Sequence, residues 1–332
     1  QFFQVIKMIH LLYLLYMINK LEIIKKGIII DNNIYHVIPF EGYKTHFLGI
    51  NNENHIALLL KTENTSNISF VNFKGKNLRI FFERESSVNN NGVAEKDRFT
   101  VLHLISDKRS TKDYFVEICK LLLQNLGENP KLKLVQKELE NVKDIFLNLH
   151  KNRIKEELGL WGELFLIYCQ DNKEKAITSW HMNAKDRIDF NSGSIKVEVK
   201  TTLSNERKHI FKLNQLRNHY KENVLICSIM TVEIENGLSI RGLVKKINND
   251  IKPNIKLKLE EKISSVLGNE ILSLNFRCFD EITARDSLRL YNSFEVPAIE
   301  KDCLSEDISK IIFTSNLNKT KALRLEKEKL FS

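Results

Sequence analysis

Apolar positions along the chain recur with two periods. From Ile34 to Ile105 they form short runs, Ile34–Phe40, Ile56–Leu60, Ile68–Phe73, Leu78–Phe82 and Phe99–Ile105. Turn formers separate them, as in Asn51-Asn52-Glu53-Asn54 and Asn89-Asn90-Asn91-Gly92. That pattern predicts a mostly antiparallel sheet, with Gly27–Ile30 as a further short strand upstream. The period then lengthens. Tyr114, Phe115, Ile118, Leu121 and Leu122 share one face of a helix over Thr111–Leu126. Leu132, Val135, Leu139, Val142, Phe146 and Leu149 do the same over Lys131–His150. That stripe covers fewer than three heptads, which favours an intramolecular packing face over a coiled-coil seam.

A third helix is expected over Glu157–Gln170. Arg187–Phe190 and Ile195–Thr202 read as strands joined by the turn Asn191-Ser192-Gly193-Ser194, a hairpin. A helix near Leu213–Lys221 and an apolar strand over Val224–Val232 follow. The charged end, Lys319–Lys329, reads as a solvated helix or a frayed tail. The division implied is an N-terminal region, 1–150, with a first helix, β-rich segments and two helices for recognition or docking, then a second domain over 151–332.

Met8–Ile18 is apolar but too short to cross a bilayer, contains His10, and is followed by lysines without a cleavage site. A buried or docking helix fits it, and no membrane partner is expected. The chain begins at Gln1 rather than Met, which leaves room for residues upstream.

Composition narrows the classes. With 42% hydrophobic and 28% charged residues, 12 Gly and 4 Pro, the chain is globular rather than disordered or collagen-like. Its formal charge of +9 suits a phosphate-backbone binder, although a solvated surface also accounts for it. Five cysteines, an odd number without metal-ligand spacing, argue against a disulfide framework or zinc ribbon and for reduced thiols in the cytoplasm.

The candidate chemistry lies in Ile195-Lys196-Val197-Glu198-Val199-Lys200. Alternation puts Ile195, Val197 and Val199 on one face and Lys196, Glu198 and Lys200 on the other. Pairing across the hairpin brings Asp189 towards Glu198, so two carboxylates and an ammonium converge. Phosphodiester cleavage needs a hard cation, a water nucleophile and charge to stabilise the anion that develops, and such a set supplies or holds these. The triplet alone is weak, because Asp171-x-Lys173, Glu206-x-Lys208, Asp250-x-Lys252 and Glu260-x-Lys262 share it. Glu163 falls within an apolar sector of its helix, where an acid is costly unless paired or ligated; a rim position beside a lysine fits the residues equally well. Gly159 and Gly162 leave room for close approach of another backbone. Asp186 is an alternative ligand to Asp189. Arg187, Arg207 and Lys208 are phosphate-contact candidates, with surface solvation the plainer role. His209 is a phosphate candidate whose plainer role is structural, and Trp161 and Trp180 read as core rather than base-stacking platforms.

Taken together, Gly159-Leu160-Trp161-Gly162-Glu163-Leu164, Trp180, Asp189-Phe190, Glu198-Val199-Lys200-Thr201, Arg207, His209, Gln215-Leu216 and Phe294-Glu295-Val296-Pro297 resemble the "PD-(D/E)XK motif protein" family, once catalogued as a domain of unknown function. The match is sharpest over Glu157–Leu216. The resemblance implies an α/β (α+β) protein: a restriction-endonuclease-like core, with a central mixed sheet flanked by helices, behind an N-terminal β-rich region. It implies Asp189 and Glu198 as ligands of Mg²⁺, or of Mn²⁺ in its place, with the Val199 carbonyl and Glu163 as further ligands. Lys200 would orient or deprotonate the attacking water, and Gln215 would orient Lys200 or contact a phosphate. Ile188 stands where the family name has proline, a position that varies in this fold. The function implied is a Mg²⁺-dependent DNA endonuclease using a metal-activated water, in a restriction or phage-defence system with other defence proteins as partners, and as a homodimer where both strands are cut. The rivals are a catalytically silent fold that binds DNA or a partner, and a plain surface ion pair between Glu198 and Lys200.

Overall fold

A computed structural model describes residues 34–51, 53, 55–63, 71–90, 93–149, 157–181, 188–193, 195–216, 224–272, 276–299 and 311–331. The expected elements at Met8–Ile18 and Gly27–Ile30, and the candidates Asp186 and Arg187, lie outside these. The chain is mixed α/β and divides into two units. Unit 1 is Gln1–Asn152 with Ile263–Ser273, and unit 2 is Arg153–Lys262 with Leu274–Ser332.

In unit 1, β1 (Ile34–Pro39), β2 (Phe47–Ile50), β3 (Ile56–Leu60), β4 (Phe73–Lys74), β5 (Leu78–Asn90) and β6 (Val93–Leu104) form one sheet. Its order is β1-β2-β3-β6-β5, and β5 returns to β1, so five strands close into a barrel with β4 added outside. A ring of five strands cannot alternate direction throughout. The seam Ile34↔Ser87 to His36↔Asn89 is accordingly parallel, and the other pairings are antiparallel. Tyr35, Val37, Ala57, Leu59, Val88, Phe99 and Val101 make one core cluster. Gly49 lets these pack: a Cβ there would lie 2.9 Å from a Leu59 methyl and 3.2 Å from a Val37 methyl. A bulge interrupts β5 between Phe81 and Arg84, and Glu83 there has φ 46°. For a non-glycine residue this costs on the order of 1 kcal/mol. Thr62 and Thr100 hydroxyls hold it, donating to Glu83 Oε1 at 2.6 and 3.2 Å.

Two helices, α1 (Arg109–Leu126) and α2 (Leu132–Asn148), complete the unit, and Phe115 meets Phe146 edge-on at 5.7 Å. The whole stripe from Leu132 to Leu149 is buried, which accounts for its period without a second chain.

Unit 2 contains α3 (Glu157–Tyr168), α4 (Lys173–Ser179), β7 (Phe190–Asn191), β8 (Lys196–Thr202), β9 (Lys208–Lys212), α5 (Leu213–Leu216), β10 (Val224–Met230), β11 (Glu233–Ser239), α6 (Ile240–Asn248), most of α7 (Pro253–Leu267), β12 (Cys278–Phe279), α8 (Glu281–Ser287), β13 (Arg289–Asn292) and β14 (Ile312–Asn316). The central sheet runs β13-β10-β8-β7, with β8 and β10 parallel and both edges antiparallel. The hairpin forms as the turn residues predict: Phe190 faces Val197, Asn191 faces Lys196, and Gly193 adopts φ 87°. Residues Leu160 to Ile167 of α3 are all buried, so this helix is enclosed rather than one-sided.

The tail differs from the expectation of a solvated helix or frayed end. Gln170 donates to the Lys327 carbonyl at 2.8 Å and accepts from the Leu330 amide at 3.1 Å. Leu330 and Phe331 are buried, and Phe331 lies 5.4 Å from the Phe190 ring. Two apolar residues after the charged run decide its placement.

Candidate active site

β8 is an inner strand buried on both faces at Val197–Val199, which goes against the rival reading of Glu198 as half of a surface ion pair. Glu198 is 3% exposed. Its Oε1 lies 2.7 Å from Lys200 Nζ and accepts from Gln215 Nε2 at 2.5 Å. Gln215 Oε1 in turn accepts from Lys200 Nζ at 3.4 Å and from the Lys212 amide at 3.0 Å. The short α5, directly after β9, thus brings Gln215 over the strand that carries the acid and the lysine.

Asp189 precedes β7. Its Oδ2 accepts the Val199 amide at 2.8 Å, and its carbonyl accepts the His181 amide at 2.7 Å. The side chain is therefore tied to the edge of β8 where β7 has ended. In an extended strand the N–H and C=O of one residue point the same way, so the Val199 carbonyl shares that edge. Glu163, on α3, is also buried and accepts the Trp180 indole N–H at 2.8 Å. At 3% exposed, it does not sit at a rim.

Glu198 Oε2 is the exception in this network: it is buried and has no hydrogen-bond partner among the described residues. Burial pushes the Glu198 carboxyl up to about 8. The Asp189 charge adds to this, Lys200 opposes it, and Glu163 raises it further. The three acids thus feel one another around one unpaired oxygen.

A family model described as "Putative PD-(D/E)XK family member, (DUF4420)" matches residues 33–318. The chain belongs to this family. No curated protein and no solved structure matches it.

PD-(D/E)XK enzymes typically use divalent metals. Among the described residues of this family member, no three Asp, Glu, His or Cys side chains stand together as a preformed metal cage. The donors nevertheless fit Mg²⁺. That ion keeps several waters and needs only one or two carboxylates from the protein, and Glu198 Oε2 is a buried oxygen with nothing else to bind. Asp189 and Glu198 would hold the ion. Glu163 is engaged by Trp180.

The other triplets behave differently from Glu198-Val199-Lys200. Glu206 pairs with Lys208 on the surface, Lys173 with Asp250, and Lys252 with Glu174. Lys262 is half-buried over Trp180, donating to the Trp180 carbonyl and, at 2.7 Å, to that of Ile177. Burial lowers its pKa to about 8. Arg207 is not a surface phosphate contact: it is 4% exposed and donates to Ser228 Oγ at 2.9 Å and to the Ser287 carbonyl. His209 is structural, 2.7 Å from the same hydroxyl.

Sequence reasoning missed two supporting residues. Trp180 combines core burial with a bond to Glu163, and only its indole N–H, which seeks a partner when buried, could have signalled this. Thr201 places its hydroxyl where a Gly162 Cβ would be, at 1.8 Å. The close neighbour of that glycine is a side chain, not the backbone expected. Among the described residues, no helix is long and apolar enough to cross a membrane.

Proposed function

We propose that this chain is a divalent-metal-dependent DNA endonuclease with a restriction-endonuclease-like core built on β13-β10-β8-β7. The observation that carries the reading is the unpaired, buried Glu198 Oε2 beside Asp189. Leaving one oxygen of a buried carboxyl group without a partner is costly, and a bound cation removes that cost. Asp189 and Glu198 hold the ion, with the Val199 carbonyl on the same edge; Glu163 stands behind them as an auxiliary acid. When bound, the ion polarises the scissile phosphate and makes water a better nucleophile. Lys200 presents its ammonium where negative charge develops and orients the attacking water. Gln215 fixes Lys200 through the contact at 3.4 Å while holding Glu198 Oε1, so the lysine and the acid keep one geometry. Mg²⁺ or Mn²⁺ as cofactor, DNA as substrate, homodimerisation and a place beside other restriction or phage-defence proteins belong to the proposal and rest on the family resemblance.

The test is cleavage of plasmid and linear DNA with Mg²⁺, Mn²⁺ or EDTA, by the unaltered chain and by Asp189→Ala and Lys200→Ala. Metal-dependent cleavage lost in both variants is expected. Cleavage that survives both puts the site elsewhere. The rival, a silent fold that only binds, is favoured by the lack of a three-acid cage among the described residues; it predicts salt-sensitive DNA binding without cleavage under any metal.

A further inference from the structure

Unit 1 carries a second cluster of phosphate-binding chemistry. A cleft of about 770 Å³ runs along β4 and β5, lined by Asn72, Lys74, Arg79, Phe81, Phe82 and Arg84 among others, with no acid among the described residues of its lining. Lys74 and Arg79 are cross-strand partners, so two cations sit side by side. Like charges placed opposite one another are unfavourable, and neither makes an ion pair among the described residues. The Arg84 guanidinium lies over the Phe81 ring, 4.8 Å from its centroid. In a regular strand Phe82 would follow Ile80 into the buried row. The bulge between Phe81 and Arg84 takes Phe82 out of that row and leaves it half-buried. Asn72 Oδ1 holds the Phe82 amide at 3.0 Å.

We propose that this cleft binds single-stranded nucleic acid, with phosphates on Lys74, Arg79 and Arg84 and a base stacked on Phe82. Cations beside aromatic faces form the usual platform for unpaired strands, and a duplex hides the base faces that Phe82 would meet. From Arg79 to Arg84 is five residues, roughly 16 Å at the rise of a strand. Such a row suits a strand of several nucleotides better than one free nucleotide. The proposal uses none of the residues of the phosphodiesterase reading and stands or falls apart from it.

The test is fluorescence anisotropy with a labelled oligothymidine of about 15 nucleotides, the full chain and EDTA. Arg79→Ala/Arg84→Ala is expected to weaken binding at least about tenfold and to flatten the log Kd against log salt slope by about 1.4. Phe82→Leu should weaken it about fivefold or more with the slope unchanged. Lys319→Ala, at an exposed lysine in unit 2, should change nothing. Should the double variant lose its melting transition, Arg84→Gln, at an exposed position, replaces it with about a threefold loss expected. Unchanged affinity in the arginine variants overturns the proposal. So does equal competition by duplex of the same length, or by thymidine monophosphate. Plasmid cleavage in Mg²⁺, run alongside, separates the two readings: cleft-dependent binding with no cleavage by the unaltered chain counts against the phosphodiesterase alone, and cleavage that Lys200→Ala abolishes, without cleft-dependent binding, counts against the cleft alone.

Discussion

Trp180 Nε1 donates to Glu163 Oε2 at 2.8 Å, and both side chains are almost fully buried. The indole also lies under Lys262, whose Nζ is 5.8 Å from the ring centroid. An acid on α3 is thus oriented by an aromatic side chain that the end of α4 presents. Trp180→Phe keeps most of the apolar surface and removes the donor. Its expected cost is about 2 kcal/mol in urea unfolding, since one oxygen of a buried carboxylate loses its bond. With Glu163→Leu as the second substitution of a double-mutant cycle, a coupling of similar size is expected. Strictly additive losses would show that the bond contributes nothing.

Glu198 trades stability for its place in the site. Its folded-state pKa, about 8, exceeds the ordinary 4.5, so the folded chain binds more protons than the unfolded chain between those values. Stability therefore falls as pH rises from 4.5 to 8 and stays reduced above. Glu198→Gln removes that loss and is expected to stabilise the metal-free chain by about 2 kcal/mol at pH 8, even after losing the ion pair with Lys200. Thermal melts in EDTA measure it. A variant that melts lower than the unaltered chain at pH 8 contradicts the account. Cleavage by the same variant should be abolished.

Gly162→Ala sets a methyl group on the Thr201 hydroxyl, at 1.8 Å in the unrelaxed structure. Because Thr201 belongs to β8, relief must move either the strand or α3, and a loss of about 2–3 kcal/mol is expected. Thr201→Ala removes the clashing oxygen and leaves the Thr201 Cβ at 3.0 Å. The double variant should recover most of the loss in chemical denaturation. If it recovers none, the contact is not what demands glycine.

His209 supplies a pH dependence of opposite sense. Burial, with the Lys200 and Arg207 charges, lowers its pKa to about 3. The neutral ring is kept in the fold while the unfolded chain protonates near 6.5, so stability is full above that pH and declines as pH falls towards 3. Between pH 6.5 and 5 the loss from this residue is expected to be about 2 kcal/mol. His103 in unit 1, lowered to about 4, adds a similar decline. His209→Gln should therefore remove only its own share from unfolding curves taken at pH 7.5 and 5. An unchanged decline would mean that His209 does not remain neutral.

What was legible in the sequence is what short-range pattern controls. Alternation put Glu198 and Lys200 on one side of a strand, and Asn191-Ser192-Gly193 announced the hairpin that brings Asp189 to the Val199 amide. The inner position of β8 in its sheet is not legible, because it depends on β10, which pairs from more than twenty residues away. Spacing makes Glu260-x-Lys262 one of several chance triplets, and only contacts across more than eighty residues place Lys262 against Trp180. The four-residue β2 is too short a run to carry a readable periodicity. Closure of the barrel was equally hidden, as nothing in Ile34–His36 specifies a parallel partner.

That seam has a kinetic consequence. It joins residues about fifty positions apart through three paired positions, so its loop-closing entropy must be met before its few hydrogen bonds form. The four antiparallel contacts can assemble first as an open, curved sheet. The seam then closes last, and the native barrel should open there first: among β-strand amides of unit 1, those of Ile34 to His36 and Ser87 to Asn89 are the ones expected to exchange earliest with deuterium.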